Sequence, residues 1–217
     1  GSNVNKNKKM ILLRVINRLE LKDLIRKIIL LVCICVFCYS AYNLASIFLE
    51  YKSMDDSNKE VEETYVTENT EQKNSYKTID FEALLARNSD VKGWIDIPDT
   101  KVSYPIVQGE TNDTYIHSDI DKKEFRAGSI FIASENKNPF TDLNTVIYGH
   151  NMKNGSMFNN IKSYTEQDFA DKHPYVYIYL PDGTVSRYKV VAAHIIPEES
   201  LLYNTGITDI QAFIKRC

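Results

Sequence analysis

Cysteine is scarce in this 217-residue chain: there are four, three of them (Cys33, Cys35 and Cys38) inside one apolar run and the last at position 217. That excludes a disulfide-dense scaffold, and the single thiol beyond the apolar run leaves no internal disulfide to form there. Eight glycines and six prolines are too few for collagen-like or low-complexity material. An excess of basic charge is missing too. A net charge of −3 argues against a nucleic-acid partner. The chain has no P-loop, no G-x-G-x-x-G, no G-x-S-x-G elbow and no H-E-x-x-H, and beyond the apolar run it has no C-x-x-C. No metal site is therefore expected, and no cofactor is implied.

What is present is an asymmetry of charge. Residues 1–27 hold eight Lys and Arg against Glu20 and Asp23, a net of +6, which leaves −9 for the rest of the chain. Between the two lies 28–49, IILLVCICVFCYSAYNLASIFL, without a charge. As a helix it would span ~33 Å, matching a bilayer core of about 30 Å. A buried core helix is the alternative, but soluble helices rarely run so long without a charge. With the basic flank first, the positive-inside rule predicts a single-pass anchor in the cell membrane, with 1–27 cytoplasmic and the remainder extracellular. Segment 50–77 carries Asp55, Asp56, Glu60, Glu62, Glu63, Glu68 and Glu71 with few aliphatics. That composition predicts an acidic, solvated stalk. A compact domain is expected over 78–217.

Within it, the pattern predicts a short helix over 79–88 and strands at 94–97, 102–107, 128–133 and 145–148. Runs 175–180 and 185–196 flank Pro181-Asp182-Gly183, a hairpin signal. Short helices are expected at 155–164 and 166–171, and a helix start at 208–217. Many short strands with few helices make the fold mainly β, a barrel or sandwich. Of the four histidines, His194 falls inside an apolar run and reads as structural. His173, before Pro174, reads as solvent-facing. His150 ends the strand Thr145-Val146-Ile147-Tyr148 directly after Gly149, a rim position suited to chemistry. Taken alone, a histidine at a turn is more often structural than catalytic.

The run Trp94-Ile95-Asp96-Ile97-Pro98-Asp99-Thr100-Lys101-Val102-Ser103-Tyr104-Pro105-Ile106-Val107-Gln108 resembles the opening strands of class B sortases. Asn112-Asp113-Thr114-Tyr115-Ile116, Gly128-Ser129-Ile130-Phe131, Tyr148-Gly149-His150-Asn151-Met152 and Met157-Phe158 continue the resemblance in order, over roughly 81–217. It implies a sortase-type β-barrel with short N-terminal and crossing helices behind a single transmembrane helix. It also implies a membrane-anchored cysteine transpeptidase of Gram-positive bacteria. Such an enzyme cleaves the C-terminal sorting signal of an exported protein after Thr and passes the acyl group to a peptidoglycan-precursor amine, joining the protein to the cell wall. A thiolate attacks, an imidazole protonates the leaving amine and an arginine steadies the oxyanion. By motif match His150 takes the catalytic acid role, Asn112 and Ile116 line the sorting-signal groove, and His117 is a bystander.

The family's T-L-x-T-C motif and the arginine after it do not occur in this sequence. Phe213-Ile214-Lys215-Arg216 resembles the crossing helix before that late strand, so neither Cys217 nor Arg216 matches a catalytic position. A terminal thiol would also be poorly pre-organised. The expectation is therefore a domain whose last strands are missing, with reduced stability and little or no transpeptidase activity as written. Two alternatives stand beside it: a non-catalytic remnant acting as a membrane-tethered sorting-peptide binding module, and a stalked scaffold that binds no peptide.

Overall fold

With no charge, glycine or proline between 28 and 49, the first secondary structure is a helix, α1 (Ser2–Tyr65). The computed structural model describes residues 2–68 and 76–196, with 203, 205 and 207 beyond them, and divides into two units, 1–52 and 53–217. In the first unit, α1 is long and apolar enough to cross a membrane. Its apolar side chains, Leu30, Phe37 and Phe48 among them, face outward rather than into a core.

In the second unit, β1 (Val66–Thr67) pairs antiparallel with β2 (Thr78–Ile79). Helix α2 (Phe81–Arg87) begins where the Asp80 carboxylate accepts the Ala83 N–H at 2.9 Å, a side-chain cap. Next come β3 (Val91–Asp96), β4 (Ser103–Val107), the single turn α3 (Asp113–Ile116), β5 (Ile130–Ile132) and β6 (Ile147–Tyr148). A 3-10 helix (Phe158–Thr165), α4 (Gln167–Lys172), β7 (Tyr175–Tyr179) and β8 (Val185–Lys189) follow. Six strands form one sheet in the order β6-β5-β4-β3-β7-β8, antiparallel except for β4 with β5. Among the described residues its edges, β6 and β8, do not pair with each other, so the sheet is an open half-barrel. Trp94, Val107, Phe131, Leu84 and Tyr115 are buried in one apolar cluster. The Trp94 indole N–H donates to the Ser103 hydroxyl at 3.1 Å.

Three expectations change here. The acidic segment is not solvated throughout: residues up to 65 are helical, and Met54 and Val61 are 3% and 6% exposed, Val61 within the core cluster. These two residues are two helical turns apart, so a sparse apolar stripe suffices to bury one face of an otherwise acidic helix. Lys77 is also tied in, its ammonium 2.7 Å from Asp96 and 3.3 Å from Glu62. Desolvation opposes its charge, but the two carboxylates outweigh it and hold its pKa above the ordinary lysine value. Burial pushes the Asp96 carboxyl up, against the pull of Lys77. The strand expected to reach 196 stops at Lys189, which pairs with Tyr175, the first residue of β7. Past that point the partner strand has run out, and Val191 and Ile195 are 85% and 98% exposed. His194 is accordingly exposed rather than enclosed in a strand. The helix start expected over 208–217, with Cys217, lies outside the described residues.

Candidate active site

Two backbone segments converge on the His150 ring. The first is the end of β6, where Gly149 precedes it. A β-carbon on Gly149 would lie 2.4 Å from Ile130 Cδ1 and 2.7 Å from the Phe158 ring, so only glycine lets the strand pass this close to both. The loop that follows is tied shut. Phe158 N–H donates to the His150 carbonyl at 2.9 Å, and Met157 N–H to the Tyr104 hydroxyl at 2.9 Å. Burial pushes that hydroxyl's pKa up to about 12, so it stays protonated.

The second segment is α3. Tyr115 is fully buried and fixes this short turn: its hydroxyl donates to Asp90 at 2.7 Å and accepts from the Asn88 amide at 2.7 Å. Desolvation first, and Asp90 with it, raises its pKa above the ordinary tyrosine range. The chain then crosses Gly128, at φ +57°, where a side chain would strike the Ile116 carbonyl. That carbonyl lies 2.7 Å from His150 Nε2. A carbonyl only accepts, so Nε2 carries a proton and Nδ1 is the nitrogen left to exchange one. His150 is half-buried, and the His117 ring lies over it, centroids 5.5 Å apart and planes 20° from parallel.

Of the sequence-derived site residues, His150 and Ile116 are brought together, through the Ile116 backbone; the Ile116 side chain is 36% exposed. Asn112 makes different contacts. Its amide donates to both Glu135 carboxylate oxygens, at 3.1 and 3.3 Å, and its carbonyl accepts the Ser134 N–H at 2.9 Å. Hydrogen bonds from its own backbone N–H, Asn112 and Ser134 hold the Glu135 carboxyl below its usual range. Asn112 thus fastens α3 to the loop after β5. His117, expected to be a bystander, touches the ring. His173 is half-buried, 3.0 Å from the Pro98 carbonyl and packed on Phe169. Gly128 and Gly149 were legible only as members of quoted motifs; what marks them is the crowding that a side chain would meet.

The described cysteines, 33, 35 and 38, all lie on the apolar helix. Comparison with known proteins matches residues 95–211 to the sortase domain. The chain is 36% identical over 160 residues to Sortase B of Listeria monocytogenes, an alignment covering 72% of this chain and 64% of that protein. The chain therefore spans less than two thirds of that curated relative's length. Among solved structures, B. anthracis sortase B in complex with AAEK1 superposes with a TM-score of 0.62 at 26% identity, over 78% of each chain. A Staphylococcus aureus sortase B–substrate complex does so with a TM-score of 0.58 at 29% identity, over 63% of this chain and 62% of that one.

Proposed function

Because this chain belongs to the sortase family, we propose that its half-barrel carries the acid–base half of a cysteine transpeptidase site that processes sorting signals on exported proteins. The observation that carries the reading is the His150 ring, half-exposed at a strand end with Nε2 committed to the Ile116 carbonyl, which leaves Nδ1 as the nitrogen to exchange a proton. In the complete reaction a thiolate, a role for which this sequence matches no residue, adds to the carbonyl carbon of the signal's threonine, forming the C–S bond. The tetrahedral intermediate collapses as the imidazolium of His150 gives its proton to the leaving amine. An incoming amine of a cell-wall precursor then attacks the thioester, losing its proton to the same ring, and the thiolate leaves. Asn112 and Ile116, at the two ends of α3, flank the groove in which the peptide lies. The apolar helix anchors the protein in a membrane. The +6 flank stays on the cytoplasmic side, so the half-barrel works outside the cell.

The test is a labelled peptide carrying the signal's threonine, titrated into the full chain in detergent micelles with the His150 ring resonances followed by NMR. Saturable binding that shifts those resonances is expected. Turnover abolished by His150→Ala would identify the transpeptidase; binding without turnover would identify a tethered binding module. No binding, with unshifted resonances, rejects the reading.

A further inference from the structure

His150 is held on one edge by a hydrogen bond and on one face by another ring, and both come from neighbouring residues of one turn. Ile116 supplies the carbonyl at 2.7 Å and His117 the stacked imidazole at 5.5 Å. The hydrogen bond fixes where Nε2 sits. It does not by itself fix the plane of the ring, because a single N–H···O contact tolerates rotation about its own axis. A flat group lying 20° from parallel removes that freedom.

His117 is itself well supported. Its carbonyl accepts the Phe125 N–H at 2.8 Å, and the adjoining Ser118 carbonyl accepts the Ser129 hydroxyl at 2.8 Å. The backbone that presents the ring is thus tied to the segment running up to β5. The His117 side chain is exposed, so it is not placed there to fill the core.

We propose that His117 is a positioning residue for His150: its ring covers one face of the imidazole, holds Nε2–H against the Ile116 carbonyl and keeps Nδ1 directed at the groove. This rests on the acid–base reading of His150, and it gives that reading a mechanism of pre-organisation. A proton-transfer group must be held in its productive orientation by its neighbours, since loss of orientation is lost rate.

The experiment uses the full chain in detergent micelles, with no peptide and no turnover, so its failure is distinct from failure of the transpeptidase reading. The His150 Nε2–H is observed by ¹⁵N-edited NMR and its exchange with solvent is timed. In the parent chain the proton is protected. In His117→Ala, exchange speeds up by about threefold or more, the scale of a lost ring–ring contact. In His117→Phe, which restores a flat face without a ring nitrogen, protection returns. Unchanged exchange in His117→Ala overturns the proposal. So does equal loss in Ala and Phe, which would mean that ring stacking is not what holds His150. Thermal melts of both variants check that the exposed substitution leaves the fold intact.

Discussion

A β-carbon on Gly128 would lie 2.4 Å from the Ile116 carbonyl oxygen, the atom that sits 2.7 Å from His150 Nε2. Gly128, 22 positions from His150 in the sequence, therefore serves the site through that carbonyl. Its φ of +57°, in the left-handed region, is a second reason that glycine is favoured there. Gly128→Ala should cost roughly 1–3 kcal/mol through backbone strain and collision. Because the carbonyl must move, it should also expose the His150 Nε2–H to rapid solvent exchange. Urea denaturation and ring N–H exchange read the two effects separately, and a variant of parental stability would refute the prediction.

Gly149, the residue before His150, makes a matching prediction. A methyl group there meets the Cδ1 of the buried Ile130 and the ring of the half-buried Phe158. Gly149→Ala should destabilise by about 1–3 kcal/mol, as overpacking does. Trimming the obstacle with Phe158→Leu in the same chain should recover part of the loss, which a pair of denaturation curves would reveal.

Acid should loosen the joint between α2 and the loop after α3. Arg87 lies 2.7 Å from Asp121, and with it Lys123 at 3.3 Å. The Arg87 hydrogen bond is the main force that holds the Asp121 carboxyl down to about 2, from an ordinary 3.8. The folded pKa is the lower one. The pair's contribution is thus complete above pH ~4 and disappears as the pH falls through that window toward 2. Both groups are partly solvated, so the effect is of order 1 kcal/mol or less. Asp121→Asn should flatten the dependence of stability on pH between about 4 and 2, measured by urea denaturation; an unaltered slope would contradict it.

Much of the sheet was legible because its strands carry their own punctuation. The Pro181-Asp182-Gly183 turn fixed the β7–β8 hairpin, and the apolar run before Gln108 marked β4. His150 was legible as a strand-end residue, and the quoted motifs added its role. What escaped depends on partners distant in the chain. Val61 is one valine in an acidic stretch, and only its contact with a cluster around Leu84 and Trp94 makes it core. Residues 190–196 look like strand, but a strand needs a neighbour, and β7 begins at Tyr175. His117 carries no pattern of its own. Its relation to His150 arises because α3 and the end of β6 meet, across 33 positions of sequence.

The buried pair Lys77–Asp96 leads to the largest stability effect expected here. Asp96 is buried at 4% exposure, with Lys77 2.7 Å away and the Ser103 hydroxyl in the same cluster. Lys77→Met removes the cation and keeps the aliphatic stem, so it isolates charge from packing. The carboxylate left behind is uncompensated, a loss of about 3–5 kcal/mol for a fully buried pair and less here because Lys77 retains 20% exposure. Asp96→Asn in the Lys77→Met chain should restore much of it, since the amide needs no counter-charge. The pH dependence gives an independent check. Burial already holds the Asp96 carboxyl above its ordinary value in the parent; with Lys77 gone its opposing pull is lost and the folded pKa rises further above the unfolded value. A group of that kind favours the folded state when protonated and loses the advantage as pH rises through its folded pKa. The gap between Lys77→Met and the parent should therefore narrow as the pH is lowered from 7 toward 5. A gap that stays constant over that range would show that the lysine acts through packing alone.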